Sequence, residues 1–314
     1  MPARYMNDVL PTCLQWRAQG LRTALVTLVF VDGSAPRPRG SQMAVNERGD
    51  AVGNLTGGCA EAAIVAEAQA RMAAGTNRLL RYGEGSPYID IRLPCGSGID
   101  VFFDVLIDDD DLQRVVNANA ARRPAALCID LARLHATTTL DCAVPAPEPG
   151  YVRIFEPVTR VLAVGKGPLL PLICQLGSAA EFEVVAMSPE AETLELARPH
   201  ARELHALSTA DAFRCGPLDR WTAFVSLFHE HEWEPDVLRA ALASDCFYVG
   251  ALGSRRTAEA RRAGLREAGV EAAAIARIHG PVGLPIGARS PPEIALAILA
   301  EIVAVRRGAS PPHP

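Results

Sequence analysis

The feature that most constrains the fold is an alternation of strand-like and helix-like segments through the second half of the chain. The apolar runs VLAV, FEVVAM, AFVSLF and CFYVGAL are separated by segments with helical spacing. This alternation favours right-handed βαβ units, whose parallel strands form a sheet covered by helices. The sequence therefore predicts an α/β protein, with a doubly wound parallel sheet of the Rossmann type at residues 146–314.

The first half has a different pattern, which predicts a mixed α+β domain at residues 1–145. A buried strand begins near Arg22, a hairpin-like pair follows at 43–55, and two more strand-like runs flank the LPCGSG loop. A helix with apolar spacing begins near Cys59. The proline-rich segment CAVPAPEPGYVRIFEP separates the two patterns, so we place the domain boundary after residue 145.

The turn after the first strand of the second half is a candidate phosphate site. Gly165 and Gly167 lie between a strand and a helix, where backbone N–H groups bind phosphate, and Lys166 adds a cation. Leu170 replaces the third glycine of the dinucleotide fingerprint. Ser188 stands where an acid would hold ribose hydroxyls, and its sequence context favours a helix cap instead. We therefore predict phosphate contact here but only weak NAD binding.

Other strand ends of the second half carry further candidate cofactor-binding residues. Gly253 ends a strand, and Arg255 stands in the first turn of the next helix, where a cation is favourable only beside an anion. His229 follows AFVSLF, and Arg289 ends a glycine-rich loop before the last helix. The His-x-His pair has no further ligands at readable spacing, so no metal site is assigned.

Two glycine-flanked cysteines in the first half are the candidate chemical groups. Cys59 lies in LTGGCAEA beside Gly57 and Gly58, and Cys95 lies in LPCGSG beside Gly96. A thiolate at a helix start is stabilised by backbone N–H groups, and flanking glycines let a bulky ligand approach the backbone. A buried structural role remains open for both cysteines.

Composition excludes several classes of protein. The 314 residues are 49% hydrophobic and 21% charged, which is typical of globular domains. A net charge of −5 gives no general attraction to nucleic acid. The N-terminus lacks the pattern of a secretory signal, and no apolar run has membrane-spanning length, so a soluble cytoplasmic protein is expected.

These loops together resemble the XdhC/CoxI family of molybdenum-cofactor chaperones. The resemblance extends over both halves, in the segments at residues 33–43, 53–63, 93–102, 247–257 and 278–304. It implies a mixed N-terminal domain, a Rossmann domain and a homodimer. The sequence departs from the family at GKGPLL and at Ser188, which disfavours a dinucleotide such as NAD.

The resemblance also implies a function and partners. Family members bind molybdenum cofactor, as molybdopterin or its cytosine dinucleotide form, and protect it while a cysteine desulfurase supplies sulfur. They then deliver it to an apo molybdenum hydroxylase of the xanthine dehydrogenase or aldehyde oxidoreductase type. An NAD(P)-dependent oxidoreductase and a thiol enzyme are the alternatives. The oxidoreductase leaves Cys59 and Cys95 without a role. The thiol enzyme lacks an evident histidine base in the first half of the chain, where His135 is the only histidine.

Overall fold

A computed structural model of the chain describes residues 8–33, 37–86, 98–208, 218–228 and 233–309. The contacts within the chain divide it into two compact units, Met1–Pro157 and Val158–Pro314. The boundary placed after residue 145 falls in the loop before a strand that belongs to the first unit. Among the described residues, none of the helices combines the length and apolarity needed to cross a membrane.

The first unit contains three helices and eight strands among its described residues. They are α1 (Leu10–Ala18), β1 (Thr23–Asp32), β2 (Gln42–Asn46), β3 (Ala51–Gly53), α2 (Glu61–Ala74), β4 (Arg78–Gly83), β5 (Gly98–Asp104), α3 (Asp109–Ala120), β6 (Ala125–Asp130), β7 (His135–Thr139) and β8 (Gly150–Phe155).

The first five strands form an antiparallel sheet in the order β3-β2-β1-β5-β4. Helix α2 packs on one face through Ile64, Ala68 and Met72. On the other face lie α1, α3 and a smaller antiparallel sheet in the order β7-β6-β8. The hairpin-like pair predicted at 43–55 is confirmed as β2 and β3, whereas the smaller sheet was not predicted.

The second unit contains six helices and six strands in the part of it that the structure describes. They are β9 (Arg160–Gly165), α4 (Leu169–Ala179), β10 (Glu183–Ser188), α5 (Ala191–Ala197), β11 (Glu203–Ala206), β12 (Thr222–Leu227), α6 (Glu234–Leu242), β13 (Tyr248–Ala251), α7 (Arg255–Glu267), α8 (Ala272–Ile275), β14 (Ile278–His279) and α9 (Pro291–Arg306).

These strands form one parallel sheet in the order β11-β10-β9-β12-β13-β14. Alternate residues of β9 enter different cores, because successive side chains of a strand point to opposite faces. Val161 and Ala163 pack with α4 and α9, and Leu162 and Val164 pack with α6 and α7. The predicted α/β class and doubly wound parallel sheet are confirmed.

Candidate functional site

The strand order places the turn after β9 at the centre of the sheet's carboxyl edge. The sheet reverses its direction of growth between β9 and β12, and open α/β sheets bind ligands at such a switch point. At the end of these strands Gly165 pairs with Leu227. A Cβ at position 165 would lie 2.6 Å from the Leu227 Cβ, so close strand packing alone requires glycine there.

The next glycine of this turn, Gly167, has a φ of +75° and open space where a side chain would begin. Its N–H donates to Oε2 of Glu190 and to Oγ1 of Thr193, each at 3.2 Å. The Thr193 hydroxyl in turn donates to the same Glu190 oxygen at 2.7 Å. A carboxylate of the chain itself therefore lies on the N–H for which a ligand phosphate was predicted.

Glu190 is charged at neutral pH. Hydrogen bonds from Thr193 and from the Gly167 N–H, helped by the charge of Lys166, lower the pKa of this exposed carboxyl group. The helix cap predicted at Ser188 was wrong: Glu190 is the N-cap of α5, and the buried Ser188 hydroxyl accepts the Glu190 N–H at 3.1 Å. Sequence reasoning missed Glu190, although an acid two residues beyond the strand end was visible.

The loop at the end of β13 leads into α7. Ser254 caps this helix by accepting the Thr257 N–H at 3.2 Å, and Gly253 just before it has a φ of +145°. Arg255 is exposed in the first turn. It lines an open pocket of about 470 Å³, whose other walls are formed by Val282, Leu284, Pro285, Gly287, Ala288, Ile294 and Ala297. A cation therefore stands beside an apolar surface at this edge of the sheet.

The glycine-rich loop before α9 rests on a buried acid that the sequence did not indicate. Glu301 of α9 has no exposed surface, and its Oε2 accepts the Tyr248 hydroxyl at 2.5 Å and the Gly283 N–H at 2.8 Å. Nδ1 of His279 lies 3.3 Å from Oε1. Although burial opposes it, these hydrogen bonds lower the pKa of Glu301, whereas burial and Glu301 raise that of Tyr248. Arg289, exposed on this loop, contributes its N–H to the capping acid Glu293.

A buried ion pair lies beneath the ends of β12 and β13. The Arg261 guanidinium donates to both carboxylate oxygens of Glu234, at 2.9 and 3.0 Å, and to the Leu252 carbonyl at 2.6 Å. The Ser226 hydroxyl donates to Glu234 at 3.1 Å. Both charged side chains are at most 5% exposed, so the pair fixes the start of α6 against α7.

The cysteine loop of the first unit is well defined around Cys59. This thiol is exposed and follows Gly57 and Gly58, whose φ angles are +76° and +111°. Helix α2 begins at Glu61, and the Glu61 carboxylate accepts N–H groups from the loop, at 2.8 Å from both Thr56 and Gly58. At the helix start itself the Ala60 N–H donates to the Thr56 hydroxyl at 2.9 Å and to Glu61 at 3.3 Å, so one N–H predicted to stabilise a Cys59 thiolate is already engaged. Sequence reasoning missed this role of Glu61.

Three predicted site residues, Cys95, Gly96 and His229, lie outside the described residues. Within the described ranges, no group of three or more His, Cys, Asp and Glu side chains is arranged to hold a metal ion.

The remaining described cysteines differ from Cys59 in their surroundings. Cys13, Cys174 and Cys246 are buried, and burial raises the pKa of each thiol, that of Cys174 to about 12. Cys128 and Cys142 are half-buried. Cys59 therefore presents the most accessible thiol among the described cysteines.

The fold and turns define the second unit as a Rossmann domain, and comparison with known proteins specifies its type. Residues 161–302 match the XdhC Rossmann domain, and residues 16–83 match the XdhC and CoxI family. The chain belongs to the XdhC/CoxI family.

Relatives match along most of the chain. It is 35% identical over 308 residues to the molybdenum cofactor insertion chaperone PaoD of Escherichia coli K12, covering 96% of this chain and 90% of PaoD. It is 24% identical over 324 residues to a probable xanthine dehydrogenase component of Bacillus subtilis 168, covering 90% and 93% of the two chains. A crystal structure described as a xanthine dehydrogenase from Bacillus halodurans superposes with a TM-score of 0.81, covering 96% of this chain and 97% of that one. At 22% identity, this last likeness shows the fold alone.

Proposed function

We propose that this protein binds molybdenum cofactor as its cargo and inserts it into a molybdenum hydroxylase. The relative PaoD carries the name of such a chaperone, and it is 35% identical over nearly the whole chain. The Bacillus subtilis relative is named as a probable component of xanthine dehydrogenase, which supports an apo-enzyme of that type as the recipient.

The observation that carries this proposal is the exposed Cys59 thiol on its glycine loop. Nothing lies within 4 Å of the place where a Gly58 side chain would begin, so a bulky ligand has room to reach the backbone beside the thiol. A thiolate is a soft ligand suited to holding a metal centre while its other ligands exchange. We assign Cys59, with Gly57 and Gly58, to the molybdenum end of the cofactor, and extend the proposal to Cys95 and Gly96 from the sequence.

The anionic end of the cargo needs cations or free N–H groups. We propose that Arg255, with Gly253 and the pocket beside α9, receives the phosphate, since a guanidinium at a helix N-terminus favours an anion. His229 and Arg289 remain proposed contacts from the sequence. The phosphate contact predicted at Gly165, Lys166 and Gly167 rests on the sequence alone, and the proposal does not depend on it, because the Gly167 N–H already donates to the Glu190 carboxylate.

The finer parts of the proposal come from the family resemblance. The protein would act in the cytoplasm as a homodimer and hold the cofactor, in its molybdopterin or cytosine dinucleotide form, while a cysteine desulfurase provides sulfur. The alternative, an NAD(P)-dependent oxidoreductase, leaves the exposed Cys59 loop without a role.

Cofactor loading and transfer test the proposal together. Purified protein is incubated with molybdenum cofactor, desalted and assayed for bound molybdenum and pterin fluorescence, and then mixed with cofactor-free hydroxylase. We expect wild type to retain and transfer the cofactor, and Cys59→Ser to lose most of the retention and transfer. The control is Cys128→Ser, at a half-buried cysteine, which should behave as wild type. Equal retention and transfer by Cys59→Ser would remove the thiol from the mechanism. Turnover of NAD(P)H without cofactor retention by wild type would favour the oxidoreductase.

A further inference from the structure

The anion-binding position of the Rossmann turn is filled by a side chain of the same unit. Helix α4 begins at Leu169, directly after the turn, and a helix N-terminus with free N–H groups attracts phosphate. In this chain the Gly167 N–H is directed at Glu190 Oε2, which also accepts the Thr193 hydroxyl. The acid thus has two donors that hold it on the turn.

The charge of this acid matters more than its bulk. Thr193 and Gly167 stabilise the ionised form and lower the pKa of Glu190, so the turn carries a fixed negative charge at neutral pH. Glu190 also attracts Lys166, the cation of the turn, and so offsets the positive charge that would otherwise attract a phosphate. A phosphate approaching Gly167 would have to displace a carboxylate and remain beside it.

We infer that Glu190 is a specificity residue, which closes the Rossmann turn to the phosphates of nucleotides. A dinucleotide-binding domain places its acid where it accepts ribose hydroxyls and leaves the turn to the diphosphate. Here the strand ends in the neutral Ser188, and the acid lies two residues later, on the phosphate position itself. The domain keeps the Rossmann strand order, but on this inference the turn after β9 does not accept the phosphates of ADP or NAD, and the cargo's phosphate is left to the separate pocket at Arg255.

Removing the charge should open the turn. Two like unit charges about 4 Å apart at a protein surface repel each other. Removing this repulsion should raise the affinity about tenfold or more. Glu190→Gln removes the charge and keeps an acceptor on the Gly167 N–H, whereas Glu190→Ala removes both. The expected order of affinity for nucleotides is therefore Ala above Gln, and Gln above wild type.

The experiment is calorimetric titration of the full chain with ADP and with NAD at low ionic strength. The matched control is Glu192→Gln, which removes the same charge from an exposed position in the first turn of α5. Thermal unfolding of each variant checks that the fold is intact. A gain of about tenfold or more for both Glu190 variants, absent from the control, is the expected result.

Two results would overturn the inference. Nucleotide affinity that is the same in wild type, both Glu190 variants and the control would mean that another feature excludes the phosphates. Tighter binding by wild type, lost in Glu190→Gln, would mean that the acid recognises ribose hydroxyls instead.

Discussion

The Glu61 carboxylate accepts the Gly58 backbone N–H at 2.8 Å, directly beside the exposed Cys59 thiol. The second unit repeats the arrangement, with the Gly167 N–H donating to Glu190 at 3.2 Å. In both units the N–H of a glycine turn that the sequence singled out as a candidate site donates to an acid at the start of a nearby helix. Within each unit, the acid therefore holds its own glycine loop in place.

Replacing Glu61 should loosen the cysteine loop. Its carboxylate also accepts the Leu55 N–H at 3.2 Å and the Thr56 hydroxyl at 2.5 Å, so Glu61→Ala leaves several donors without their partner. We expect a loss of about 1–3 kcal/mol in the free energy of unfolding, and a smaller loss for Glu61→Gln. Urea unfolding measures both. The exposed Glu84→Ala serves as control, and losses equal to that of the control would contradict the role of Glu61.

The two glycines of the Rossmann turn should differ in their tolerance of alanine. At Gly165 a Cβ would lie 2.8 Å from the Leu227 carbonyl carbon, so Gly165→Ala should cost about 2–3 kcal/mol through overpacking. At Gly167 only the positive φ opposes a side chain, and Gly167→Ala should cost about 1–2 kcal/mol. Denaturant unfolding of the two variants checks the order. A larger loss of stability for Gly167→Ala than for Gly165→Ala would show that the contact between Gly165 and Leu227 is not the stronger constraint on this turn.

Glu301→Gln should destabilise the protein in a pH-dependent way. Because the folded-state pKa of Glu301 lies below its ordinary value of 4.5, the ionised group contributes stability above that pH. The contribution is lost as the pH falls through the lower, folded-state pKa. We expect a loss of about 2–3 kcal/mol at pH 7 and a narrowing difference from wild type below pH 4.5.

Unfolding free energies measured between about pH 3 and pH 7, which spans the titration of carboxyl groups, supply the test for Glu301→Gln. The exposed Glu259→Gln, on α7, is the control and should leave stability nearly unchanged. A difference from wild type that stays constant across this window would refute the linkage.

The buried pair of Arg261 and Glu234 should show strong coupling. Arg261→Met leaves the Glu234 carboxylate buried without its bidentate partner, and we expect a loss of about 3–5 kcal/mol. The double variant Arg261→Met/Glu234→Leu removes both charges and should be more stable than Arg261→Met alone. A double-mutant cycle by urea unfolding measures the coupling, and additive losses would show that the ion pair is not the stabilising element.

Local patterns in the sequence were sufficient for the class of each unit and for the position of its turns. The alternation of apolar runs predicted the parallel sheet because backbone periodicity is a local property. Ser290 and Glu293 are recognisable in the sequence as a capping box before α9, and Glu293 accepts the Ser290 N–H at 3.0 Å. Glycine context likewise separated Cys59 from the buried cysteines. The sheet of β6, β7 and β8 was missed because it lies in and next to a proline-rich segment that favoured a linker.

The sequence by itself determined the alternation of strands and helices in the second unit and the position of the glycine turns, and it placed the Cys59 thiol on one of those turns. The tertiary structure showed that this thiol is exposed. Only the tertiary structure decided what the turns bind internally. Tyr248 meets Glu301 across 53 positions of the chain, and Arg261 meets Glu234 across 27. Such pairs depend on the order of strands in the sheet and on which face each helix turns toward the sheet. Neither is encoded in a local pattern, because many arrangements bury the same apolar faces and differ in which polar groups become neighbours.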